Sequence, residues 1–115
     1  MQLSYAFSEC PGKPHEIIVG KTSRANEIKA FLDKLTKPKS HVCISLPDST
    51  GFGSVDLWRL EDENIEMEIM QDCNDDFAVI DIPTAKRVVD VLFHFQRNRL
   101  IRDMLQELPI VWICG

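Results

Sequence analysis

The sequence predicts an α+β fold: a mostly antiparallel sheet of about five to seven strands with two or three helices packed on one face, in the order ββαββββααβ. Three observations predict it. Several short segments alternate apolar and polar residues with period two, two longer segments repeat apolar residues every three to four positions, and Pro- or Gly-containing breakers separate them. A chain of 115 residues, 44% hydrophobic and 27% charged, fits a single domain over residues 1–115.

Each element has its own warrant. Leu3, Tyr5 and Phe7 alternate with Gln2, Ser4 and Ala6, the signature of a half-buried strand that Pro11-Gly12-Lys13-Pro14 ends. A second strand, His15 to Val19, is expected to pair with it. Ser23 is the candidate N-cap of a helix whose stripe is Ile28, Phe31, Leu32 and Leu35, stopping before Pro38. Val42, Ile44 and Leu46 mark the next strand, and Pro47 to Gly53 reads as a loop.

Two further strands are expected at Ser54 to Leu60 and Ile65 to Met70. Closing them as a hairpin over Glu61 to Asn64 sets Leu60 opposite Ile65, Trp58 opposite Met67 and Asp56 opposite Ile69. That register assigns Trp58 to the core and leaves Val55, Leu57, Arg59, Glu66, Glu68 and Met70 on the other face, with Arg59 across from Glu66. Phe77 to Ile82 is a short strand, and Pro83 suits the first turn of a helix because its missing N–H needs no partner there. Ala85, Val88, Val89, Leu92 and Phe95 form that helix's stripe; Leu100, Ile101, Met104, Leu105 and Leu108 form a second one, out of phase, ended by Pro109. Ile110 to Cys114 is expected as a last strand buried inside the sheet.

Charge is the strongest functional signal. Net charge is −5, which argues against general nucleic-acid binding by phosphate neutralisation. Between Asp48 and Asp81 there are 11 acidic residues against Arg59 alone, a local charge of −10, while the remainder, with seven acids and 12 bases, carries +5. These acids fall on neighbouring strands and their turns, so folding concentrates them. Such a field attracts a basic partner and accelerates its association.

Chemistry-bearing patterns are sparse. Cys10, Cys43, Cys73 and Cys114 have no C-x-x-C pairing or nearby His of zinc-site type and read as reduced thiols. His15, His41 and His94 fall in three different elements. Thr50-Gly51-Phe52-Gly53 matches no phosphate-binding fingerprint, and Asp72 to Asp76 lacks the loop of a calcium site. No cofactor or metal is expected, and the chain does not read as an enzyme. No run of about 18 apolar residues and no signal-like start is visible, so a cytoplasmic location is the expectation. Trp58 and Trp112 read as core residues, as do Met67 and Met104, while Met70 is placed at a contact surface.

The C-terminal part resembles a known family. The order is an acidic β segment, then Val79-Ile80-Asp81-Ile82-Pro83-Thr84-Ala85, a helix reaching Leu92-Phe93-His94-Phe95, and Leu108-Pro109-Ile110-Val111-Trp112. It is similar to the first-described immunity family of bacterial polymorphic toxin systems, over roughly residues 40 to 114. Gln96 to Glu107, an added helix by its periodicity, departs from the short turn usual in that family.

The resemblance implies a small cytosolic inhibitor that binds a cognate toxin domain, commonly a nuclease or nucleic-acid deaminase, one to one and as a monomer, with neither nucleic acid nor membrane as partner. It supplies no binding positions. Those come from the charge reading: Glu61, Asp62, Glu63, Glu66, Glu68, Asp72, Asp75 and Asp76 as contact charges, with Leu57, Met70 and Phe52 as apolar anchors. The competing readings are an effector chaperone of the type III secretion kind, which forms an obligate dimer, and a small cysteine-dependent enzyme.

Overall fold

The computed structural model describes residues 1–9, 17–46, 53–71, 74–96 and 98–113. The elements run β1 (Leu3–Ser8), β2 (Ile18–Thr22), α1 (Ala25–Asp33), β3 (His41–Ser45), β4 (Gly53–Arg59), β5 (Ile65–Gln71), β6 (Asn74–Ile80), α2 (Ile82–Leu92), α3 (Ile101–Met104) and β7 (Trp112–Ile113). They form one seven-stranded sheet, ordered β2-β1-β3-β4-β5-β6-β7, with every neighbouring pair antiparallel. The α+β class and the element order are those the sequence predicts.

One face of the sheet carries the core. Leu3, Phe7, Val42, Ile44, Val55, Leu57, Ile65, Met67, Ile69, Ala78 and Ile80 are buried with Ile28 and Leu32 of α1, Ala85, Val88, Val89 and Leu92 of α2, and Ile101 and Leu105 at α3. Burial of this continuous apolar layer is the main stabilising contribution, about 1.5–3 kcal/mol for each large aliphatic side chain. Tyr5 and Phe7 flank Phe31 at centroid separations of 5.1 and 4.9 Å. Gly20 lies opposite Tyr5, and a Cβ there would come within 2.7 Å of the Tyr5 hydroxyl, so the missing side chain lets the ring lie over the edge strand.

Local chemistry sets the helix starts. Asp81 caps α2: its Oδ1 accepts from the Thr84 N–H at 2.8 Å, a bond that holds its carboxyl below the usual range. The N-cap of α1 is Arg24 and not Ser23; Thr22 Oγ1 accepts from the Arg24 N–H at 3.0 Å. Helix α3 is one short turn, fixed by Gln71, whose Oε1 accepts from Ile101 N–H at 2.6 Å while its Nε2 donates to the Arg99 carbonyl at 3.3 Å. Lys29–Asp90 and Lys86–Asp33 ion pairs tie α1 to α2 at their exposed side.

Three expectations are corrected. The β4–β5 register is one residue off: Arg59 lies opposite Ile65, Leu57 opposite Met67 and Trp58 opposite Glu66. Every β4 side chain therefore changes face. Leu57 is core, with no exposed surface, and Trp58 is half-buried on the other face. Arg59 does not meet Glu66; its guanidinium donates to the Leu35 carbonyl at 2.5 Å, beyond the end of α1. Finally, β7 is an edge strand, pairing with β6 at Trp112 and Ile113 among the described residues, not a strand inside the sheet, and Val111 before it is 82% exposed.

Candidate functional site

The helices gather on one side, and no described helix covers the other. Register places three rows of side chains across this open face. The central row is Val19, Ala6, Cys43, Asp56, Glu68, Phe77 and Ile113. On one side of it run Lys21, Ser4, Ser45, Ser54, Met70 and Asp75; on the other, Ser8, His41, Trp58, Glu66 and Val79. Neighbouring strands are about 4.8 Å apart, so side chains adjacent in a row interact directly.

The face has two halves. Over β4, β5 and β6 it is acidic: Asp56, Glu66, Glu68 and Asp75 lie around one another, interleaved with Trp58, Phe77, Met70 (36% exposed) and Val79 (44% exposed). Glu68 senses this crowding. Partial burial, then the charges of Asp56, Asp75 and Glu66, push its carboxyl above the usual range against an opposing effect of His41. Over β2, β1 and β3 the strand residues of this face include no acid and one cation, Lys21, around a shallow depression of about 410 Å³ lined in part by Ser4, Ala6, Val19, Lys21, Cys43 and Ser45.

A polar knot joins the halves. His41 Nε2 lies 2.6 Å from Asp56 Oδ1, and the His41 ring stacks on Trp58, centroids 3.7 Å apart and planes within 11°. Burial works against the charged form of Asp56, but hydrogen bonds from His41 and Cys43 and the charge of His41 outweigh it, holding the carboxyl below its ordinary range. Cys43 responds in the opposite sense: burial, then the Asp56 charge and hydrogen bond, push its thiol up to about 12. At neutral pH it is a protonated thiol beside a carboxylate, the reverse of the electropositive setting that makes a cysteine nucleophilic.

The structure brings some of the sequence-selected residues together and separates others. Glu66, Glu68, Met70 and Asp75 share the open face. Glu61, Asp62 and Glu63 are exposed at the tip of the β4–β5 hairpin, next to Glu66 but beyond the strands. Asp76 points to the helix side, where Arg102 binds it at 3.0 Å. Leu57, being core, is unavailable as an anchor. Asp72 and Phe52 lie outside the described residues, as do Cys10, Cys73, Cys114 and His15. Sequence reasoning places His41 on a strand near the surface, as found, but misses Asp56, Trp58 and Phe77 as surface residues, because these three depend on strand register. Their alternation was readable, but the face on which each alternation fell was not.

Among the described residues no three His, Cys, Asp or Glu side chains are grouped to hold a metal ion, and no helix is long and apolar enough to cross a membrane. Compared with protein-family models, curated proteins and solved structures, the chain finds no match.

Proposed function

We propose that this chain is a cytosolic immunity protein that binds and neutralises a cognate toxin domain, a nuclease or nucleic-acid deaminase, by covering its basic active-site groove. The observation that carries the reading is the convergence of Asp56, Glu66, Glu68 and Asp75 from three adjacent strands onto a sheet face that no described helix covers. Partial burial, and after it the charges of Asp56, Asp75 and Glu66, raise the Glu68 carboxyl, so gathering these acids on one face is unfavourable for the free protein. It becomes favourable against cationic groups, the trade expected of a surface shaped for a partner. Exposed Met70 and Val79 and half-buried Trp58 and Phe77 supply the apolar contact area that charge alone does not. The C-terminal resemblance to the immunity family supports the same reading from the sequence side.

Immunity proteins of this kind are encoded beside their toxins, so the C-terminal domain specified by the coding region immediately upstream is the binding partner to test. Calorimetry is expected to show one-to-one binding that weakens with salt, and that weakens at least tenfold in the triple reversal Glu66→Lys, Glu68→Lys, Asp75→Lys. Binding that ignores both salt and the triple reversal would reduce the acidic surface to a solubility device.

A further inference from the structure

We infer that the acid-free depression on β2, β1 and β3 is the apolar half of the docking surface, and that its occupant is a basic segment of the partner carrying an apolar anchor residue on the same face as its cationic ones. The inference rests on the reading above for the identity of the partner, and adds where and in which direction that partner lies.

Two features of the open face support it. The depression is shaped by Ala6, Val19 and Cys43, with the small Ser4 and Ser45 beside them. No described element fills it, and Val19 at its outer wall is 71% exposed. An apolar side chain seated there would remove Val19 and Ala6 from water, the kind of central, desolvated contact on which interface energy concentrates.

The second feature is charge, which fixes the direction. Along the central row the next residue after Cys43 is Asp56, followed by Glu68, one and two strand spacings away, or about 5 and 10 Å. Lys21 stands at the opposite rim. A bound segment therefore meets apolar surface at one end and carboxylates at the other, with Lys21 repelling any cation placed the wrong way round. An anchor seated over Ala6 lies two strand spacings from Asp56 and three from Glu68, so charge complementarity commits the occupant to a polypeptide with an apolar residue spaced roughly 10 to 15 Å from lysine or arginine. A purely basic surface would leave the depression empty, and a purely apolar one would bury Glu68 unpaired.

Variants on the two halves separate the contributions. Ala6→Leu fills the depression, and Val19→Ser strips its wall at a position that is largely exposed; urea denaturation of each variant verifies that it folds. Glu66→Gln with Glu68→Gln neutralises the other half. With the upstream-encoded domain as ligand, Ala6→Leu and Val19→Ser are each expected to lower affinity about tenfold without changing its salt dependence, whereas the double Gln variant flattens the salt dependence. Full affinity in both Ala6→Leu and Val19→Ser would overturn the inference and leave the proposed function standing.

A second probe does not require that partner: a synthetic peptide with a leucine followed by lysines two and four residues on, so that all three share one face of an extended chain, titrated into isotopically labelled protein. Amide shifts at Ala6, Val19, Cys43, Asp56 and Glu68 are expected, and their loss on acetylating the lysines. If the upstream-encoded domain fails to bind while the peptide maps to these residues, the inhibitor reading fails and the docking surface stands. Peptide shifts confined to the helix side overturn the inference.

Discussion

His41 and Asp56 meet diagonally across β3 and β4, with Nε2 2.6 Å from Oδ1, and the imidazole is clamped from its flat side by Trp58, its partner in register. One side chain thus fixes both a carboxylate and an indole on a surface that no described helix covers. Removing either member leaves the other half-buried without its partner. Asp56→Ala and His41→Ala are each expected to destabilise the fold by about 1–3 kcal/mol, the range for hydrogen bonds to charged groups, and the double variant by less than the sum. The sign with pH follows from the depressed Asp56 carboxyl. Its contribution is present above the unfolded carboxylate pKa and is lost as pH falls through the lower folded value. Urea denaturation of the four proteins at neutral and acid pH checks both statements.

Glu68 behaves oppositely. Its folded pKa is raised, so the native state is favoured while the group is protonated, and this advantage is lost as pH rises through the folded value. Glu68→Gln should therefore raise the melting temperature at neutral pH, and the gain should vanish below the carboxylate range. A variant equal to or less stable than the parent at pH 7 would show that the surrounding acids do not repel.

The Cys43 thiol, pushed up to about 12, is expected to resist iodoacetamide in the native protein at pH 8 while reacting normally in urea. Asp56→Asn removes the negative neighbour and should accelerate native alkylation, though burial keeps it below the rate of an exposed cysteine. Peptide mass spectrometry at residue 43 reads the result.

Glu63 adopts a left-handed backbone conformation, φ 73°, in the β4–β5 turn. An L-residue there costs about 1–2 kcal/mol, of which glycine's greater unfolded-state freedom returns roughly half. Glu63→Gly is expected to stabilise the protein by about 0.5–1 kcal/mol, visible as a higher urea midpoint with an unchanged slope.

That same residue explains where the sequence misleads. Alternation reveals most strands, and apolar spacing reveals α1 and α2, because each is a local pattern. The β4–β5 register depends on the conformation of a turn whose left-handed position is occupied by glutamate, not by the glycine or asparagine that signals it. With Leu60 N–H bonded to the Asn64 carbonyl at 2.9 Å, pairing starts at Arg59 and Ile65, and β4 turns over. Glu66, Glu68 and Asp75 share one face as charge reasoning expects, but Asp76 falls on the helix side and Leu57 and Trp58 exchange places, and with them the anchor of the site. The role of Asp76 was equally hidden, since its Arg102 partner is 26 residues away.

The order of strands also bears on how the chain finds its shape. From β3 to β6 each strand pairs with the next in sequence, so these ladders close short loops at small entropic cost. β1 waits for a partner in β3 that lies beyond β2 and α1. Contacts between near neighbours form fastest, so this central meander and the β1–β2 hairpin each form locally, and the two halves of the surface are joined when β1 docks on β3.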